Sequence, residues 1–335
     1  MTSSGSAGTA SGSAGTASGS AGTASGSAGT ASGSAGTASA SAAEAFQYYR
    51  DLLFAVAYRM LGTVTDAEDT VQDAWLRWSS APRDNVAEPK AYLVRIVTNI
   101  ALDRLRSAKA RREAYVGPWL PEPLLTAPDV ADRAELAESV SMAMLVVLES
   151  LTPEERAVFV LREVFGFRHA EIAESIGRSE ASVRQLAHRA REHVLARRPR
   201  YEVDSGQQRE VTQRFLAAAM GGDLDDLMAV LAPDVVLVSD GGGKAQAALH
   251  PIMGAAKVAR FLRGISGRPY MGIDPSDIAA ETMPINGGTG MLFTAQGRIL
   301  AAVTVAAADN QITAIQVVAN PDKLRGVSAG RPMPI

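Results

Sequence analysis

The chain has 335 residues, room for two or three domains, and its 33 basic and 36 acidic side chains leave a formal net charge of −3. It has no cysteine, which excludes disulfides, iron–sulfur clusters and thiolate zinc sites, and its four histidines, at 169, 188, 193 and 250, show no metal-ligand spacing, so neither metal nor cofactor is expected. The longest strongly apolar run, about Ile299 to Ala308, is far short of a membrane span, and no basic start leads into an apolar signal core, so the sequence predicts a cytoplasmic protein with no membrane partner.

Residues 4–38 are five copies of SGSAGTA, and the first 43 residues carry no charged side chain. Such a segment cannot bury enough surface to offset the entropy of ordering it, so residues 1–43 are expected to be a disordered, low-complexity tail. From Glu44 the composition changes. Phe46, Tyr49, Leu53, Ala57 and Met60 mark one face of a first helix, ended by Gly62. Thr65 and Glu68 have the spacing of a capping box and open a second helix. Its apolar face is Val71, Ala74, Trp75 and Trp78, and its acidic face is Glu68, Asp69 and Asp73. A third helix starts near Pro89, and from Arg95 to Arg112 it holds six basic residues against one acidic residue. Three helices over residues 44–112 make a small all-α domain that presents acid on one helix and base on another.

Residues 113–130 form a linker in which YVGPWLPEPLLTAPD carries four prolines, a stiff and extended composition. Trp119, Leu120, Leu124 and Leu125 are too apolar for a solvated linker, so they predict packing on a neighbouring domain. A helix over residues 131–149, with Met142, Leu145 and Leu148 apolar, leads into a second domain ending at 200. There Thr152, Pro153 and Glu155 spell a capped helix start, with Val158, Phe159, Leu161 and Val164 as its apolar stripe. A short helix from Ala170 to Ser175 is broken by Gly177, and Ser179 caps a basic helix from Glu180 towards Arg197. Two helices on a short Gly-containing turn, the second longer and basic, are the helix-turn-helix plan. Between Arg178 and Arg200 seven arginines stand against two glutamates. With Val183, Leu186, Ala187 and Ala190 inward, Arg184, Gln185, His188 and Arg189 face out, where they can reach base edges and phosphates. The structural alternative is a plain helical hairpin with a solvated basic face.

Beyond residue 205 the pattern is helices first and strands afterwards, an α+β domain over residues 205–324. Asp223 is placed to cap a helix, Val235 to Val238 read as a strand and Gly254 to Leu262 as a helix. Ile278 to Met283, Gly290 to Ala295, Leu300 to Ala306 and Ile312 to Val318 then read as antiparallel strands. Eleven basic residues balance eleven acidic ones from 205 to 335, so this part has no electrostatic reason to bind DNA.

The two helical modules together resemble an extracytoplasmic-function (ECF) sigma factor of bacterial RNA polymerase. LFAVAYRMLGTVTDAEDTVQDAWLRW is similar to the family's polymerase-binding segment, AYLVRIVTNIALDRLRSAKARR to its promoter-melting, minus-10-reading segment, and LTPEERAVFVLREVFGFRHAEIAESIGRSEASVRQLAHRAR to the region that reads the minus-35 element. The resemblance implies that core RNA polymerase and promoter DNA are the partners. It would put Glu68, Asp69 and Asp73 against the polymerase clamp helices. It would also put Asn99, Asp103 and Arg106 near the opened minus-10 DNA, and Arg184, Gln185, His188 and Arg189 on the minus-35 element. The extension resembles a SnoaL-like domain of the NTF2-like cone fold. WLPEP at 119–123, DGGGK at 240–244 and NPDKL at 320–324 look like the markers of the ECF subgroup that carries it. By that likeness the extension regulates the sigma factor, Trp119, Leu120, Pro121, Asp240, Lys244, Asn320, Asp322 and Lys323 form the interdomain contact, and residues 325–335 form a short regulatory tail.

Cone-fold relatives include isomerases and cyclases, for which Asp240 and His250 are the available bases, and such a cone can also hold a small-molecule ligand. Neither residue completes a specific catalytic constellation, so no catalytic residue is assigned. Two alternatives stay open beside the sigma factor: a ligand-responsive regulator that binds duplex DNA without polymerase, and an NTF2-like enzyme fused to a nucleic-acid module.

Overall fold

The computed structural model describes residues 31–81, 86–127, 139–197, 205–221 and 224–328. Three helices come first: α1 (Ala31–Leu61), α2 (Val64–Ser80) and α3 (Pro89–Glu113). Helix α1 begins inside the stretch expected to be disordered. From Ala31 to Ala43 that stretch holds no proline, and ten of its thirteen residues are alanine or serine, so the helix propagates through it. Residues 1–30 lie outside the described residues.

The second half of α1 is buried on every side, not along one face: Leu53, Phe54, Ala55, Val56, Ala57, Tyr58, Arg59 and Met60 are all at 2% exposure or less. A helix apolar all round needs partners all round. It finds α2 and α3 on one side and the linker and second helical domain on the other. Gly62, at φ +74°, turns the chain. The cap of α2 is Thr63, whose side chain accepts from the Asp66 N–H, so the helix opens two residues earlier than the Thr65–Glu68 spacing predicts. The left-handed glycine makes the turn, and the next Thr-x-x-acid is the one in place to cap it.

The second domain contains α4 (Met142–Glu149), α5 (Pro153–Phe159), α6 (His169–Ile176) and α7 (Glu180–Arg197). The helix expected over 131–149 is interrupted at Ser141, which caps α4; residues 128–138 lie outside the described residues. The Thr152–Glu155 capping box of α5 is formed, and the helix ends in a π-helical turn, Val160–Val164. Val158, Phe159 and Leu161 are buried as read, and Gly177, at φ +66°, separates α6 from α7. Buried side chains of both helical domains belong to one continuous apolar cluster, with Leu93, Val97 and Ile100 of α3 alongside Val158, Ile172 and Val183. The two domains therefore share a core instead of hanging on a linker.

The extension comprises α8 (Ser205–Gly221), α9 (Leu224–Val230), β1 (Leu231–Asp240), β2 (Ile252–Met253), α10 (Ala255–Ser266), β3 (Ala279–Ile285), β4 (Gly288–Ala295), β5 (Arg298–Ala308), β6 (Gln311–Val318) and a closing turn, α11 (Arg325–Ser328). Its six strands order as β2-β1-β6-β5-β4-β3. All neighbours are antiparallel except β1 and β6, which run parallel, a crossover that strand patterns alone do not reveal. Register shifts in the β1–β6, β4–β5 and β5–β6 pairs bend the sheet. Helices α8 and α10 cover one face, where Phe215, Val235, Leu237, Val258, Met291 and Ile315 fill the interior of the NTF2-like cone. The expected cap Asp223 lies outside the described residues. The opposite face of the sheet, with Leu292, Ala302 and Val318, packs on Leu120 and Leu125 of the linker and Met142 of α4.

Candidate nucleic-acid interface and interdomain site

Helix α7 is amphipathic as read: Val183, Leu186, Ala187 and Ala190 are buried, while Arg184, Gln185, His188 and Arg189 are exposed. Three of these four carry acidic neighbours in the free protein. Arg184 pairs with Glu180 at 2.5 Å, His188 with Glu192 at 3.5 Å and Arg189 with Glu155 at 3.6 Å. The Arg184 and His188 pairs are exposed on both sides and therefore weak, whereas Arg189 reaches the buried carboxylate of Glu155.

The basic helix α3 is placed differently. The Asn99 side-chain amide donates to the Arg95 carbonyl at 2.9 Å and to the Ser175 carbonyl, at the end of α6, at 3.0 Å. Arg95 reaches Glu174 at 3.2 Å. Arg106 pairs with Asp103 at 3.2 Å and with Glu154 at 3.5 Å, and Glu154 also holds Arg178 at 2.7 Å. The face carrying Asn99, Asp103 and Arg106 thus lies against the helix-turn-helix, which leaves only part of it open.

The acidic residues of α2 divide between two surfaces. Arg104 of α3 collects Asp66, Asp69 and Asp73 at 3.5, 3.6 and 2.8 Å. Glu68 turns instead into a groove of about 400 Å³ between α1 and α2, beside Phe46, Arg50, Val71 and Trp75. Residues 68 and 69 are adjacent in sequence, and adjacent helical residues do not share a face.

The interdomain site is built around Asp240, the last residue of β1, which is 0% exposed. Its Oδ1 accepts from the Tyr115 hydroxyl at 2.6 Å. Its Oδ2 accepts from the Leu120 N–H at 2.8 Å and from Lys323 Nζ at 2.7 Å. Lys323 also donates to the Leu120 carbonyl at 2.6 Å and sits 3.8 Å from the Trp119 ring centroid and 4.8 Å from that of Tyr115. Asn320 donates to the Tyr115 hydroxyl at 2.7 Å, and its Oδ1 accepts from the Asp322 N–H. A Cβ on Gly242, at φ +56°, would fall 2.3 Å from the Asn320 amide, so this glycine is needed for the loop to close. Lys244 and Asp322 form an exposed ion pair at the rim. Pro121 is buried beside Gly62, and Trp119 lies against the same glycine, where a Cβ would meet its ring at 3.2 Å. The structure therefore brings Trp119, Leu120, Asp240, Asn320 and Lys323 into one cluster, with Pro121, Lys244 and Asp322 at its edges. Asp240 faces this cluster and not the cone interior, and His250 is exposed, so neither is placed as a general base in a pocket.

Three further linking residues are not among the expected site residues, although Glu122 lies within WLPEP. Glu122, 6% exposed, accepts from the Val64 and Thr65 N–H groups at 2.6 and 3.3 Å, capping the start of α2 from the linker. Arg59, 0% exposed, donates to Ala55 and Ser139 and stacks 5.3 Å from the Phe165 centroid; burial lowers its pKa to about 10. Arg156, at 2% exposure, donates to the Met60 carbonyl at 2.8 Å and pairs with Glu149 at 2.7 Å, and burial lowers its pKa to about 9. Polar residues inside an apolar pattern were the available signal for the two arginines, since a lone arginine in LFAVAYRML needs a buried partner. At the C-terminal end, α11 is docked: Val327 is buried, and a Cβ on Gly326 would meet Val64 at 3.1 Å. The first residues of the expected tail thus pack on the start of α2, while residues 329–335 lie outside the described residues. Among the described residues no helix is long and apolar enough to cross a membrane.

Family models match two stretches: "Sigma-70 region 2" over residues 45–111 and "Sigma-70, region 4" over residues 141–194. The chain is 41% identical over 293 residues to the ECF RNA polymerase sigma factor SigJ of Mycobacterium tuberculosis, covering 84% of this chain and 92% of the relative. It is 39% identical over 194 residues to the probable ECF RNA polymerase sigma factor SigI of the same species, covering 57% of this chain and 67% of the relative. Among solved structures, the crystal structure of M. tuberculosis SigJ superposes with a TM-score of 0.68 at 38% identity, covering 84% of this chain and 97% of that one.

Proposed function

Because the chain belongs to the extracytoplasmic-function sigma factors of bacterial RNA polymerase, we propose that it binds core polymerase through α1 and α2, reads the minus-10 element with α3 and the minus-35 element with α7, and is regulated by its own cone domain. The observation that carries this reading is an exposed basic helix, α7, beside a second basic helix, α3, that is held against the neighbouring helix α6. In this division Glu68, Asp69 and Asp73 meet polymerase, Asn99, Asp103 and Arg106 meet the opened strand, and Arg184, Gln185, His188 and Arg189 meet duplex. Opened DNA offers unstacked bases, which a basic helix beside aromatic side chains holds by charge and stacking. Duplex in the major groove is read by bidentate side chains.

The same geometry supports regulation by the extension. With Asn99 and Arg95 engaged by α6, the minus-10 surface opens only when the second domain moves off α3. The extension grips the linker that joins those two domains, so its hold biases that movement. The apolar filling of the cone supports protein contact, rather than turnover or a ligand, as its use. Transcription reconstituted with core polymerase tests this. The full-length protein should direct initiation from a promoter carrying both elements and bind that promoter weakly without core. Equal promoter binding with and without core polymerase would instead support the one-component regulator.

A further inference from the structure

The Asp240–Lys323 cluster grips the linker near its start. The extension touches the helical domains at a second place, the tight turn between β3 and β4, formed by Asn286 at φ +51° and Gly287 at φ +72°. Asn286 is 2% exposed and uses every hydrogen-bonding group of its side chain on the rest of the protein. Its Oδ1 accepts from the Leu124 N–H at 3.0 Å. Its Nδ2 donates to the Tyr58 hydroxyl of α1 at 2.7 Å and to the Val140 carbonyl, just before α4, at 3.0 Å. The Asn286 N–H donates to the Leu124 carbonyl at 2.8 Å, the Gly287 N–H to Thr126 Oγ1 at 3.1 Å, and the Thr126 N–H to the Pro284 carbonyl at 3.2 Å. The Tyr58 hydroxyl donates in turn to the Glu122 carbonyl at 2.8 Å. One side chain thus joins the first helical domain, the linker and the entry to the second domain.

We propose that Asn286 is the clasp that holds the two DNA-reading domains closed on each other, a positioning residue distinct from the Asp240–Lys323 anchor. The anchor bonds to the linker near its start, at Tyr115 and Leu120. Asn286 bonds on both sides of the linker at once, so its loss removes a direct bridge between α1 and the entry to α4. The closed contact also needs holding. It buries the Arg59 guanidinium with no carboxylate partner among the described residues, an arrangement that costs stability unless other bonds offset it. A buried, fully paired amide is costly to break because its partners are left unsatisfied, and each such loss shifts an equilibrium by about fivefold.

The inference rests on the regulatory reading above, and its test separates the two. The chain has no cysteine, so Ser80→Cys and Ala196→Cys, both exposed positions, take a donor and an acceptor dye on the full-length protein. Asn286→Ala should lengthen the separation between the two dyes and raise affinity for a single-stranded minus-10 oligonucleotide by about fivefold or more. Tyr58→Phe, which removes one hydroxyl and keeps the ring in the core, should give a smaller change in the same direction. The double variant should add little to Asn286→Ala alone, because both act on one clasp. A folded Asn286→Ala or Tyr58→Phe protein with an unchanged dye separation would overturn the proposal, as would full additivity between them. Opening without any change in reconstituted transcription would leave the clasp standing and sink the regulatory reading instead.

Discussion

The side-chain amide of Asn99 lies 3.0 Å from the carbonyl of Ser175, a bond that joins the basic helix α3 to the helix-turn-helix. A side chain engaged in this way cannot at the same time meet a promoter base. On the proposed reading, closure and promoter opening are alternatives, and the linker and extension would shift the balance between them.

Around that bond the closing contacts include ion pairs at the surface, Arg95 with Glu174 and Arg106 with Glu154, and Glu154 also holds Arg178 within its own domain. Each is worth at most about 1 kcal/mol and is screened by salt. Glu154→Ala combined with Glu174→Ala should tighten binding of a single-stranded minus-10 oligonucleotide by about fivefold at low salt, and less at high salt. Fluorescence anisotropy at two ionic strengths reads this; no gain at either would mean these pairs do not hold the domains together.

The Asp240–Lys323 pair is buried, with side-chain exposures of 0% and 7%. Removing one member leaves the other charge buried and no longer neutralised by this ion pair, a loss of about 3–5 kcal/mol, whereas replacing both costs less. Asp240→Asn and Lys323→Met should each lower urea midpoints sharply, and the double variant should recover part of the loss. Equal and additive losses would argue against a coupled pair.

Glu122 gives the docked linker a pH dependence. Burial pushes its carboxyl up to about 7 from an ordinary 4.5, although the Val64 and Thr65 N–H groups favour the ionised form. The folded state therefore binds this proton more tightly than the unfolded chain does. Its contribution to stability is fully present below the ordinary value and is lost as pH rises through about 7. Relative to Glu122→Gln, which cannot titrate, the native protein should lose ~2 kcal/mol between about pH 5 and about pH 8. Parallel denaturation curves for the two proteins across that range would show that Glu122 does not titrate there.

On the minus-35 face, Arg184→Ala and Arg189→Ala should each weaken holoenzyme binding by about 1–3 kcal/mol where the side chain reads a base. A side chain that meets phosphate instead should lower the salt dependence equally on all sequences. Gel shift with a matched and a scrambled minus-35 element distinguishes these. Unchanged promoter affinity after both substitutions would move the reading face elsewhere.

For polymerase binding, Asp69→Lys with Asp73→Lys should abolish core affinity. Because Arg104 is held by the same carboxylates, the neutral pair Asp69→Asn with Asp73→Asn is the fairer comparison. It should weaken core binding while circular dichroism stays native. Native core affinity in the neutral variant would leave Glu68 and its groove as the docking surface.

Local sequence determined a good deal here. Spacing and capping chemistry specify α5, α6 and α7, because Thr152, Glu155, Gly177 and the period of Val183, Leu186 and Ala190 act within one or two turns. Charge counting found both basic helices, and the linker's apolar residues announced a packed partner. The sequence-local view failed where partners are remote. It gave α1 one apolar face when a second domain covers the other side, grouped Glu68 with Asp69 when one faces the α1–α2 groove and the other Arg104 of α3, and could not show that β1 runs parallel to β6.

Nor did any motif point to Asn286 or Arg59, and WLPEP, which contains Glu122, did not show that this carboxylate caps α2. A polar side chain becomes a clasp, a cap or a buried cation only through the groups that tertiary contact brings to it, and Tyr58 lies 228 positions from Asn286. The sequence determined which helices form and which of them carry the charge for DNA. Only the tertiary structure decided that one of those surfaces is exposed while the other is shared with its neighbour. Burial and hydrogen-bond pairing depend on distance in space, which the local order of residues does not encode.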